Sequence, residues 1–138
     1  MSDPLQIGLI ADPLRWALWP RAKELLLPAM EMPDQSWADV EAALRNESAR
    51  LGAIMEGGDL LGAAVIRPID TPRGTMTELF LIGGRDHARW VGNLSAMLER
   101  HARNNGHAGL RAWGRGGWTP ALTALGWRAE VVAFQKAI

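Results

Sequence analysis

Glu78 lies in the run TMTELFLIGG, residues 75–84, where Met76, Phe80 and Ile82 fall on the same face at strand spacing. A carboxylate in such an apolar row is short of water, and desolvation makes it a better proton acceptor. Left in water near a strand end, it would do no such work. His87 could assist a reaction nearby, although Asp86-His87 equally suits the start of a helix. Arg89 stands on the first turn of that helix, where a guanidinium either contacts a phosphate or simply faces solvent. Arg115 sits among glycines in WGRGGW, residues 113–118. It can fork onto a phosphate or carboxylate, or stack on Trp113 or Trp118 as a cation–π pair.

What the chain lacks narrows the chemistry further. There is no cysteine and no tyrosine, which removes thiolate zinc sites, disulfides, thiol nucleophiles and phenolic acids together. The three histidines, His87, His101 and His107, have no HxxxH or HxH spacing, so no metal is expected. A formal net charge of +0 carries no specific nucleic-acid signal and no pull towards an anionic membrane. The N-terminus has no basic leader, and no apolar run is long enough to span a bilayer, so a cytoplasmic protein is expected. At 138 residues the chain is expected to be one domain, 1–138, able to bury a core without a metal or a disulfide.

These residues need elements to position them. LQIGLI, residues 5–10, reads as a strand. Asp12 and Pro13 suit a helix start, and Pro20 should split the stretch that follows into two short helical pieces. Trp16, Trp19, Leu25 and Leu26 would face inward; the same Trp/Lys/Arg mixture also suits a membrane-surface helix. Ser36 to Asp39 is close to a capping box and opens a helix to about Arg45, with Trp37, Val40, Ala43 and Leu44 at helical spacing. Residues 49–69 read as a hairpin about Gly57-Gly58-Asp59, and the loop 70–74 leads into the run that holds Glu78. From Asp86 to Asn105, Trp90, Leu94, Met97, Leu98 and His101 form one apolar stripe, which makes His101 a packed imidazole rather than a catalyst. Asn104-Asn105-Gly106 would end that helix. A strand AGLRAW, a short helix and a last strand, RAEVVAFQKAI, complete the chain. The sum is an α/β fold: a mixed, mostly antiparallel twisted sheet with helices on both faces and parallel neighbours near the C-terminus.

This order, together with residues 75–138, resembles the acetyl-CoA-dependent N-acyltransferase superfamily known as GNAT. In that superfamily a loop of the form Q/R-x-x-G-x-G/A holds the cofactor's pyrophosphate on backbone N–H groups and a helix N-terminus. Arg89-Trp90-Val91-Gly92-Asn93-Leu94 stands in its place here, with Leu94 where glycine or alanine is usual; Gly83-Gly84 is an alternative loop. The resemblance implies acetyl-CoA or another acyl-CoA as cofactor, held by Leu81, Ile82, Arg89, Gly92, Asn93 and Arg115, with Glu78 as catalytic base. Aligning Gly126-Trp127 with the family's G-F pair puts Leu122 where a tyrosine acid is usual and Arg115 near an asparagine.

Over nearly the whole chain the sequence is also similar to short GNAT-like proteins encoded by tailed phages and prophages. The shared marks are Trp37, Asp39 and Val40; Gly62 to Val65; Glu99, Ala102, Arg103 and Gly106; and Gly114, Arg115, Gly117, Trp118, Leu122, Leu125, Gly126 and Trp127. The expected function is a divergent acyltransferase that moves an acyl group from acyl-CoA to an amine on a small molecule or protein. The alternative is a catalytically inactive module, in the virion or its assembly, that binds a phage structural protein through exposed tryptophan and arginine. The expected location is host cytoplasm or virion, and a homo-oligomer is left open.

Overall fold

Two tight turns fold the middle of the chain into a meander. The computed structural model describes residues 4–31, 36–113, 118–129 and 136–138. Strands β1 (Leu5–Ile10), β2 (Arg50–Glu56), β3 (Asp59–Thr71), β4 (Gly74–Gly84) and β5 (Leu110–Ala112) make one sheet in the order β1-β2-β3-β4-β5. The first four are antiparallel neighbours, and β5 runs parallel to β4. Gly57, at φ 59°, turns β2 into β3. The expected loop 70–74 contracts to Pro72-Arg73, because Thr71 Oγ1 donates to the Gly74 carbonyl at 2.8 Å and pairing runs to the turn.

Helix α1 (Trp19–Leu26) holds Pro20 in its first turn, where the missing N–H is harmless. The break falls ahead of it, after a short 3-10 turn, Pro13–Arg15. Asp12 precedes that turn in a left-handed conformation and makes no capping bond. Trp19 and Leu26 are buried; Trp16 and Leu25 are half-buried. Helix α2 (Trp37–Arg45) starts as its sequence predicts, with Ser36 Oγ accepting from the Asp39 N–H at 3.1 Å. Both helices cover one face of the sheet, over Leu51, Ala53, Ala63, Val65 and Leu81.

The opposite face carries α3 (Val91–Asn104) and α4 (Thr119–Ala124). Trp90, Leu94 and Leu98 are buried there against Ile54, Ala64, Ile66 and Leu79. Gly106, at φ 69°, follows the end of α3 as expected. His101 is packed near His107, their ring centroids 6.2 Å apart; burial first, then the His107 and Arg50 charges, lower its pKa. The last strand expected from RAEVVAFQKAI falls largely outside the described residues. No described helix is long and apolar enough to cross a membrane.

Glycine at two positions sets how closely these layers approach. A Cβ on Gly83 would lie 2.0 Å from the Leu25 carbonyl oxygen, and one on Gly62 would lie 2.7 Å from the Trp90 ring. The α1 backbone therefore rests directly on the end of β4. Gly83→Ala should lower stability by about 2 kcal/mol or more, read by urea unfolding, since rigid backbone cannot give way.

Candidate active site

Strand β4 does not alternate as its sequence suggests. Val65 pairs with Leu81 and Ile66 with Leu79, so Phe80 is an extra residue, a bulge. Phe80 and Leu81 both pack on the α1/α2 face, whereas Leu79 and Ile82 pack on the α3 face. The expected row of Met76, Glu78, Phe80 and Ile82 is thus interrupted: Ile82 is turned to the other side.

The bulge coincides with a parting of strands. β5 pairs with β4 only at Thr77, Glu78 and Leu79, and Trp113 N–H adds one more bond to the Leu79 carbonyl. Beyond that point β4 runs on to Gly84 with no described strand along this edge. A cleft of about 530 Å³ opens there. Its walls include Leu25 and Pro28 on one side, Ile82 to Arg85 at the strand end, and His87 with Trp118 on the other. The His87 and Trp118 rings meet at a tilt of 48° with centroids 4.4 Å apart, and Trp118 also leans on Trp90 at 5.9 Å. Arg21 and Arg85 line the same space, each paired with an acid: Glu24 at 3.1 Å and Asp59 at 2.8 Å.

Glu78 stands at the parting and is 2% exposed. Its carboxylate is neither bare in an apolar row nor left in water. Oε1 accepts from Arg67 Nε at 2.7 Å and Oε2 from Trp113 Nε1 at 2.9 Å. The Arg67 guanidinium in turn lies 3.8 Å over the Phe80 ring.

The N-terminus of α3 has no side-chain cap. The amides of Val91, Gly92 and Asn93 find no backbone acceptor among the described residues, as the first turn of a helix requires. Gly92 leaves room for Leu125, whose methyl would be 3.7 Å from an added Cβ.

The arrangement matches known proteins by fold. No protein-family model matches the sequence, and no curated protein matches it. An aminoglycoside N-acetyltransferase solved in complex with CoA superposes with TM-score 0.70 at 20% identity, covering 99% of this chain and 96% of that one. Glucosamine-6-phosphate N-acetyltransferase from Arabidopsis thaliana gives TM-score 0.67 at 10% identity, with 98% and 99% covered. A predicted acetyltransferase from Clostridium acetobutylicum, solved with acetyl-CoA, gives 0.66 at 15% identity, with 97% and 96% covered. The fold is GNAT-like.

The residues singled out by the GNAT resemblance are not all brought together. Ile82 lines the cleft, while Leu81 is buried in the α1/α2 core. Gly92 and the exposed Asn93 stand on the first turn of α3. Arg89 turns away to Glu56 at the β2–β3 hairpin, whose hydrogen bond and charge raise the arginine's pKa further. Arg115 lies outside the described residues. Arg67 and Arg85 escaped notice in the sequence, and Trp113 and Trp118 were seen there only as rings for Arg115 to stack on. Arg67 could have been found by counting outward from Pro72-Arg73, which sets it opposite Glu78.

Removing Arg67 would leave a buried carboxylate oxygen without its partner. Arg67→Met should lower stability by about 2 kcal/mol at neutral pH, less than for a fully buried pair because the guanidinium is half open to solvent. Adding Glu78→Gln should recover part of the loss, and urea unfolding of the single and double variants measures both.

Proposed function

We infer that this chain is a GNAT-type acyltransferase that moves an acyl group from acyl-CoA to an amine. The observation that carries the reading is the edge of β4, which beyond Leu79 has no partner among the described strands and runs beside the cleft, with the uncapped start of α3 following it in the chain. An extended ligand with amide groups needs backbone donors and acceptors along its length, and an unpaired strand edge offers them. A pyrophosphate needs N–H donors and positive charge, which Val91, Gly92 and Asn93 offer at a helix N-terminus. Leu94 does not obstruct them, because its side chain is 1% exposed and buried with Trp90 and Ile82. The donor set therefore fits an acyl-CoA.

Leu81 and Ile82 would hold it through backbone groups, and Gly92 and Asn93 through their amides. Arg21 and Arg85 offer guanidinium donors at the cleft, each already paired with an acid. Arg89 and Arg115 are the remaining cationic candidates, the former engaged by Glu56. Bound acyl-CoA supplies an activated thioester. Glu78 is the carboxylate at the parting, and we assign it the proton of the attacking amine. Arg67 and Trp113 position it, each using one of the lone pairs on its oxygen and leaving another. With no tyrosine in the chain, the departing thiolate takes its proton from solvent.

A second reading, a silent GNAT-fold phage or prophage protein that binds a structural partner, draws on the missing tyrosine and on the double engagement of Glu78. It is weakened by the tryptophans: of the seven, Trp113 alone is exposed.

Thermal melting with and without millimolar acetyl-CoA separates the two. A dissociation constant a hundredfold below the ligand concentration should add about 2.7 kcal/mol of stability. Gly92→Glu should remove that gain by placing a carboxylate against the pyrophosphate. No shift, confirmed by calorimetry, would leave the binding-module reading in its place.

A further inference from the structure

Arg67, Glu78 and Arg111 stand in one row across the sheet. The β3–β4 register pairs Arg67 with Glu78, and the β4–β5 register pairs Glu78 with Arg111. Directly paired residues share a face, so two cations flank one anion beside the parting of β4 and β5. Glu78 accepts one hydrogen bond on each oxygen, from Arg67 and from Trp113, and keeps a lone pair on each. Arg111 has no carboxylate partner among the described residues; its guanidinium lies 5.8 Å over the Trp113 ring. Arg111 is exposed, and Trp113 is 40% exposed. The Arg67 side chain is 39% exposed, with its head held on Phe80.

A molecule approaching Glu78 from this face therefore meets the Trp113 indole with the Arg111 guanidinium over it, and the Arg67 guanidinium on the other side of Glu78. A polycation would be repelled by both. A neutral or simply cationic amine would leave Arg111 unanswered. Resting on the acyltransferase reading above, we propose that the acceptor is an amine that also carries a carboxylate. Arg111 forks onto the carboxylate, the carbon body lies on Trp113, and the nitrogen points towards Glu78. The amine nitrogen forms the new bond to the acyl carbon, the carbon–sulfur bond breaks with its electron pair leaving on the CoA thiolate, which solvent protonates, and the nitrogen's proton passes to Glu78. This choice of acceptor parts the chain from the aminoglycoside acetyltransferases that share its fold.

The test uses the full chain labelled with nitrogen-15, its Trp113 indole N–H resonance assigned through Trp113→Phe. Phenylalanine, phenylalaninamide and the aminoglycoside kanamycin are the probes, titrated in the presence of CoA. Phenylalanine should shift that resonance and bind at least tenfold more tightly than its amide, with kanamycin weaker still. Arg111→Met should erase the preference, Arg111→Lys should restore part of it, and neither should move the melting temperature. In a thiol-release assay with acetyl-CoA, Arg111→Met should raise KM for phenylalanine about tenfold and leave kcat nearly unchanged. Equal binding of acid and amide, a preference for kanamycin, or no response of Trp113 to any probe would overturn the proposal. The acetyl-CoA melting shift is read separately, so its absence would count against the acyltransferase reading while the Trp113 titration still reports on the carboxylate site.

Discussion

The bulge at Phe80 governs where β4 keeps its neighbours and where it loses one. An extra residue on one strand bends it and sharpens its twist. Here β3 follows β4 through the bulge, because the antiparallel pairing resumes at Leu81 and continues to Gly84. β5 follows only as far as Leu79. The same residue reverses the sidedness of the strand, so that Phe80 and Leu81 both serve the α1/α2 core while Ile82 serves the α3 core. One inserted residue thus marks where β4 parts from its last neighbour among the described strands, and it turns the strand so that it serves both layers.

The charges around that edge are arranged in fixed pairs. Arg21 is tied to Glu24, Arg85 to Asp59, Arg89 to Glu56 and Arg67 to Glu78, so each of these four has an acid to hold it. Arg111 departs from this pattern among the described residues, with only the Trp113 ring beneath it. A guanidinium stacked on an exposed indole is positioned yet still able to fork onto an anion. Close glycine contacts bring the layers together at this end of the sheet: Gly83 carries the α1 backbone and Gly62 carries the Trp90 ring.

Much of the fold could be read from residue patterns. The Ser36 cap, the Gly57 turn, the apolar stripe from Trp90 to His101 and the parallel β4–α3–β5 unit all follow from local chemistry or connection rules. The mixed, mostly antiparallel sheet with helices on both faces stands as expected. The bulge could not be read, because LFLIG is apolar on both faces and shows no alternation to interrupt. Glu78 was visible as a residue of interest, but its environment depends on Arg67 across one strand pair and Trp113 across another. Arg89 was read from its place on a helix, whereas its partner Glu56 lies across the sheet at the end of a hairpin. Long-range pairing of this kind leaves no local signature.

Hydrogen–deuterium exchange of the whole chain, with and without saturating acetyl-CoA, interrogates the strand edge most directly. Slowed exchange should appear at the amides of β4 beyond Leu79 and at Val91, Gly92 and Asn93, with β1 and β2 unchanged. Bound acetyl-CoA that leaves those amides exchanging at their free rates, or that protects a different face of the sheet, would contradict the assignment of the open edge of β4 as the cofactor's seat.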